Sequence, residues 1–257
     1  MWSCNRHSPK LKNRRGDIVT RMHYIYLIYS LFFLAVLGVS LFFRRDLIKD
    51  AVPALLFGSV AGPVSELLYL SDYWRPPSVL RIGGVAIEDI LFGIAVFGLS
   101  LVLYPWVLRK RLSPVAAGND RHLRTFGTLA VGAVLVAVLV VVIHINSVFA
   151  TALTFVALWL AVGVLRHDLL LPGLLSGGLQ LVLALFMYGV LLNIFVSRQD
   201  LEELWLLHGT RLGVTILGKV PVSELAWFFS VGCFLSVFEL FVNKRHYIDF
   251  RGEQPNL

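Results

Sequence analysis

The sequence predicts an all-α polytopic membrane bundle of about seven transmembrane helices, built as two parallel three-helix repeats joined by a connector helix. Composition, the spacing of long apolar runs and an internal similarity predict it. Of 257 residues, 57% are hydrophobic and 15% charged, and the mean hydropathy is +0.76. That leaves too little polar material to cover a surface facing water. Runs of roughly 20 apolar residues, enough to cross a bilayer as helix, recur near 24–43, 47–70, 86–108, 126–145, 148–165, 169–196 and 221–243. No alternating pattern of barrel strands accompanies them.

The first run is too long for a signal peptide and lacks a small-residue cleavage site, so it reads as a retained helix. The second contains Pro63, expected to kink it below Glu66. The third opens with GGVAIEDILFG (83–93), carrying the adjacent acids Glu88 and Asp89. Between the fourth and fifth only His144, Ile145, Asn146 and Ser147 offer a turn, and a single long bent helix is the competing reading. The sixth exceeds one span and is expected to tilt or to end as an interfacial turn. The seventh starts at Pro221, a residue suited to a helix start. The resulting organisation is a basic tail (1–21), a first three-helix unit (22–108), a basic loop and connector helix (109–145), a second unit (146–245) and a short tail (246–257).

The net charge of +7 resides in short Lys/Arg clusters between apolar runs, where it sets topology and does not suggest nucleic acid. Connections after helices one, three and five, with the C-terminal tail, carry twelve Lys and Arg; those after helices two, four and six carry five. The positive-inside rule then places the C-terminus of a multi-pass cell-membrane protein in the cytoplasm and the N-terminus outside. Six basic residues in 1–21 oppose that orientation. A translation start at Met22 resolves the conflict, with RRGD (14–17) encoded by a ribosome-binding site; intact-mass measurement of natively expressed protein tests this. Cys4 and Cys233 lie far apart, and His144, His167, His208 and His246 are scattered, so neither disulfide nor metal site is indicated. No glycine-rich nucleotide motif is present and no cofactor is evident.

The pentapeptide PVSEL occurs at 63–67 and again at 221–225. A second similarity pairs RRDLI (44–48) with RHDLL (166–170), at the heads of helices two and six. Together these suggest parallel repeats of helices one to three and five to seven, with Glu224 set against Glu88. Glu66 ends helix two, and its counterpart region near Tyr188 to Asn193 has no acid. Seven helices bring Glu66, Glu88, Asp89 and Glu224 to one membrane face, among Tyr69, Tyr73, Trp74, Phe92, Trp205, Trp227, Phe228 and Phe229.

Structural readings compete with functional ones. Glu88, Asp89 and Glu224 suit helix starts as dipole partners. Tyr24, Tyr26, Tyr29, Tyr104 and Trp106 read as an interfacial belt. Asp46 and Asp168 are expected to pair with neighbouring Arg, and Glu239 with Asn243, Lys244 or Arg245. Glu66 resists such a reading: it stands at the negative end of a helix, the wrong end for an anion, and is a candidate proton donor.

AIEDILF (86–92), VPVSELAWFF (220–229), the DYWRPP loop (72–77), RRDL, RHDLLLPGLLSG (166–177) and MHYIYLIYSL (22–31) together resemble the small integral-membrane lycopene cyclases, bacterial heterodimeric and fused archaeal and fungal types. Members have two three-helix domains, each with a Pro-x-Glu-Glu motif at a helix start. The resemblance spans 22–245. Here Ala86 stands for the first Pro and Asp89 for the second Glu; the other copy keeps Pro221 and Glu224, with Ser223 between. The resemblance implies acid-catalysed, non-redox ring closure of lycopene or a related linear isoprenoid, drawn from the bilayer. Glu66 or one of Glu88 and Asp89 would be the acid, and Glu224 the base or cation stabiliser. Tyr69, Tyr73, Trp74, Phe92, Trp205, Trp227 and Phe228 would line the pocket, their rings attracting a carbocation. A carotenoid hydratase, a proton-coupled transporter and a non-enzymatic subunit, all compatible with other carotenoid enzymes as partners, are the alternatives.

Overall fold

A computed structural model describes residues 24–82, 85–115 and 120–250. The basic tail and the Met22 start lie outside the described residues. Among the described residues, seven helices are long and apolar enough to cross a membrane. They are α1 (Ile25–Phe43), α2 (Ile48–Asp72), α3 (Ile87–Val107), α4 (Arg121–Ala137, widening into a π-turn over Val138–Val142), α5 (Ser147–Leu165), α6 (Leu170–Phe195) and, after the short α7 (Arg198–Leu204), α8 (Val222–Val242). Large apolar side chains such as Leu67, Phe126 and Val164 remain exposed around the bundle, as lipid-facing residues must.

The fourth and fifth runs form separate helices. His144 takes a positive φ of 59°. Asn146 then starts α5 by accepting from the Val148 N–H (3.2 Å), and Asp72, ending α2, accepts from the Ser147 N–H (2.8 Å). Two distant segments thereby satisfy the open N-terminus of a helix. The sixth run is helical to Phe195, and the chain leaves it through α7, whose Ser197 and Asp200 cap each other's backbone N–H groups.

The two units repeat in detail. After α1 and after α5 the chain turns through an arginine of non-helical backbone, Arg44 or Arg166, into a single 3-10 turn, Arg45–Leu47 or His167–Leu169. Each arginine grips the aspartate two residues on, Asp46 or Asp168, as the sequence led one to expect. Short hairpins precede the third helix of each unit: β1 (Arg81–Ile82) with β2 (Val85–Ala86), and, later in the chain, β4 (Thr215–Ile216) with β5 (Val220–Pro221). Both helices end alike, at Leu108 and Asn243 with nearly equal torsions, followed by positive φ at Arg109 (49°) and Lys244 (53°). The emerging strands β3 (Lys110–Leu112) and β6 (Tyr247–Asp249) pair antiparallel and strap the units together.

This symmetry corrects one alignment. The N-caps of α3 and α8 are Ala86 and Pro221, so Glu224 corresponds to Asp89, and Ser223 to Glu88. The Arg44–Arg166 offset, carried along α2 and α6, sets Glu66 opposite Tyr188.

Within each unit the third helix packs on the other two, and α3 and α8 meet at the centre, while α4 lies outside, packed mainly on α5. Glycines permit the close crossings. A Cβ at Gly58 would sit 2.4 Å from the Gly93 carbonyl oxygen, and one at Gly177 2.6 Å from that of Phe229. Between the units Gln180 donates to Ser100 Oγ (2.7 Å) and to the Val96 carbonyl (3.2 Å). At the basic end Arg245 joins Asp50 of α2 (2.7 Å) to Glu239 of α8 (2.9 Å), and Asn243 also bonds Glu239 (3.0 Å).

Candidate functional site

All four expected acids lie at one end of the bundle and are buried, but they are held differently. Glu224 occupies the third position of α8, where the chain leaves β5. Its Oε1 accepts from the Tyr73 hydroxyl (2.6 Å) and the Trp205 indole N–H (2.9 Å), and its Oε2 from the Tyr188 hydroxyl (2.9 Å). Three donors from three segments fix this carboxylate in one orientation. Tyr73 also meets Ser223 Oγ (3.2 Å).

Glu66, near the end of α2, is held by one bond, from the Trp74 indole N–H to Oε1 (3.2 Å); its buried Oε2 has no partner. An unmatched carboxyl oxygen in an apolar interior calls for a proton or a ligand. Asp89 neighbours Glu66 across the α2–α3 contact, where Gly62 packs on the Asp89 backbone. Its Oδ2 caps the Ala86 N–H (3.0 Å).

Glu88 turns away toward the preceding loop. Its two oxygens accept from the Val79 N–H (2.7 Å) and Ser78 Oγ (3.0 Å), which anchors residues 78–80 over the start of α3.

Two loops, one from each unit, meet above the acids. Trp74 and Trp205 face each other across an antiparallel bridge, flanked by bonds from Leu206 N to the Tyr73 carbonyl (2.8 Å) and from Arg75 N to the Leu204 carbonyl (2.9 Å). The indoles thus form a seam while each donates its N–H to one acid. Burial and the nearby Glu224 charge push the Tyr73 hydroxyl well above its ordinary pKa, so it stays a donor.

Beneath the seam a cavity of about 610 Å³ runs into the bundle. Of the expected site residues, Glu66, Glu224, Tyr69, Tyr73, Trp74, Phe92 and Trp227 line it. Glu88, Asp89, Trp205 and Phe228 stand behind the wall. Phe228 stacks on Phe33 (5.1 Å between ring centroids), and Phe92 on Trp227 (6.1 Å). The Trp227 indole donates to Tyr69 (2.8 Å), whose hydroxyl donates to Thr151 (3.0 Å). Apart from the acid-bearing end, the walls are almost wholly apolar.

The expected interfacial belt needs correction. Tyr26 and Tyr29 are each 1% exposed and belong to the aromatic core; Tyr26 packs edge-on to Trp74 (4.8 Å) and Tyr29 to Tyr188 (5.3 Å). The Tyr29 hydroxyl is buried without a hydrogen-bond partner, whereas the Tyr26 hydroxyl lies beside the Asp89 carboxyl. Tyr26 and Tyr188 line the cavity and were missed as site residues. Their signal in the sequence was a hydroxyl-bearing ring within an otherwise apolar run, a feature an interfacial position shares.

Fold and site together define a polytopic α-helical membrane protein with a carboxyl-bearing intramembrane cavity. Comparison with protein-family models, curated proteins and solved structures found no match for this chain. Among the described residues no group of His, Cys, Asp and Glu is arranged to hold a metal ion.

Proposed function

We propose that this protein is an intramembrane isoprenoid cyclase that closes the end group of lycopene or a related linear polyene without redox change. The observation that carries the reading is the unpartnered Oε2 of Glu66 at the head of an apolar, aromatic-walled cavity. Protonated Glu66 gives its proton to a terminal alkene. The tertiary cation is attacked by a second alkene of the same chain, and loss of a ring proton leaves an isomer of the substrate. Proton transfer by a positioned carboxyl is worth about 10²–10⁴-fold in rate.

Glu224, held by Tyr73, Tyr188 and Trp205, supplies fixed negative charge for the cation and takes up the departing ring proton; a proton then passes from Glu224 to Glu66 to restore the acid before the next turnover. Trp227, Phe92 and Trp74 line the same end of the cavity, and an aromatic ring whose face meets the positive charge contributes about 0.5–2 kcal/mol. The Trp74–Trp205 seam keeps water from capturing the cation.

The test is pigment analysis after expression in a bacterial host that accumulates lycopene. A cyclic carotene of unchanged mass, absent from Glu66→Gln and Glu224→Gln variants, is the expected result. A product heavier by one water makes the protein a hydratase. Unaltered lycopene beside inserted, folded protein removes this substrate and leaves a transport or subunit role.

A further inference from the structure

The cavity is long and aligned with the helices. Along α8 its wall extends from Glu224 to Phe238, fourteen residues, or about 21 Å at 1.5 Å per residue. The walls from α2 and α4 run alongside, reaching Phe57 and Leu129 toward the basic end. Carboxyl, phenol and indole groups concentrate at one end of this length; toward the other end the lining is aromatic and aliphatic apart from Thr128 and Thr154. One side wall is α4, which packs mainly on α5, where Gly132 faces Leu158, and scarcely meets α2 across the cavity. Among the described residues no other long helix has so little buried surface.

We propose that the cavity is a measuring slot for a linear isoprenoid polyene, and this rests on the cyclase reading. The chain lies lengthwise along the membrane normal, end group first against Glu66 and Glu224. Phe238 and Leu129 limit how much of it enters, and the remainder leaves between α2 and α4 into the bilayer. A straight apolar chain with one reactive end matches a wall whose chemistry changes only at one end. Because α4 is a lightly packed side wall, the chain enters from lipid without crossing water.

The experiment reads occupancy independently of catalysis. Full-length protein in lipid nanodiscs is titrated with acyclic conjugated polyenes of graded length, from diterpene to tetraterpene, and tryptophan emission is followed. Trp74 and Trp227 on the slot wall are quenched by a bound polyene. Quenching affinity is expected to rise with chain length and then level off. Phe238→Ala is expected to move the levelling to a longer chain. Val136→Trp, which fills the slot midway along α4, is expected to abolish quenching by all but the shortest chain; helical circular dichroism reports that each variant is folded.

Length-dependent quenching that responds to both variants supports the slot, and if no cyclic product forms it does so while removing the cyclase reading. A cyclic product whose formation ignores both variants overturns the slot and leaves the cyclase reading in place. Absence of quenching by every polyene also overturns it, the cavity then being filled by lipid acyl chains.

Discussion

Glu66 and Glu88 show how little residue type says about role. Both are buried carboxyls at the same end of the bundle, yet Glu88 spends both oxygens on Ser78 and Val79, while Glu66, which lines the cavity, leaves one oxygen without a partner. Under the cyclase reading, Glu66→Gln is therefore expected to lower cyclised product by at least about 100-fold, the lower bound for losing a positioned acid, as read by chromatography of pigment extracts. Glu88→Ala is expected to act on the loop instead: hydrogen exchange at the Val79 N–H accelerates, because its acceptor is gone. Tyr188→Phe removes one of three donors to Glu224 without changing ring packing. A smaller loss, about tenfold for a hydrogen bond to a charged group, is expected in the same assay. PVSEL and AIEDILF made these acids visible; their partners were not, because Tyr73 and Glu224 are 151 positions apart and meet only in the fold.

At the scale of elements, six of the seven long helices were legible to within two residues, since a bilayer demands long apolar runs and hydrophobicity reports them directly, whereas the fourth, expected from 126, begins at Arg121 because its first turn is polar. Two things were less legible. The break between α4 and α5 depends on Asp72 capping a helix far along the chain, and α7 is too short to stand out from its polar connection. The α2–α3 crossing is set by backbone approach at Gly58 and Gly93, so Gly58→Leu is expected to separate these helices and abolish folded yield in size-exclusion chromatography. The wall helix α4 is tethered by Asp120, which pairs with Lys244 (2.9 Å) and Arg124 (3.0 Å). The Lys244 hydrogen bond, with Arg124 beside it, holds the Asp120 carboxyl below its ordinary range. A depressed carboxyl stabilises the fold above its unfolded pKa and loses that contribution as pH falls through the folded value. Protection at the start of α4, read from hydrogen exchange corrected for its intrinsic pH dependence, is thus expected to be full above the ordinary carboxylate pKa and to decline progressively as pH falls from there through the depressed folded value. Asp120→Asn removes that dependence.

For the whole molecule, two three-helix units face each other through α3 and α8, and the seam of Trp74 and Trp205 closes over acids contributed by both. Trp205→Phe deletes the indole N–H that reaches Glu224 and loosens the seam. Under the cyclase reading, a rising share of product heavier by one water is expected, checked by mass spectrometry. The sequence by itself determined the membrane class and the apolar runs long enough to span, because hydrophobic length reports both without reference to any contact; the count of seven, and with it the gathering of the acids at one end, waited on the break between α4 and α5. Only the tertiary structure decided which acid is free, which is clamped and where the cavity runs. Hydrogen-bond satisfaction depends on donors brought together from distant segments, and an apolar void is a property of helices that fail to touch.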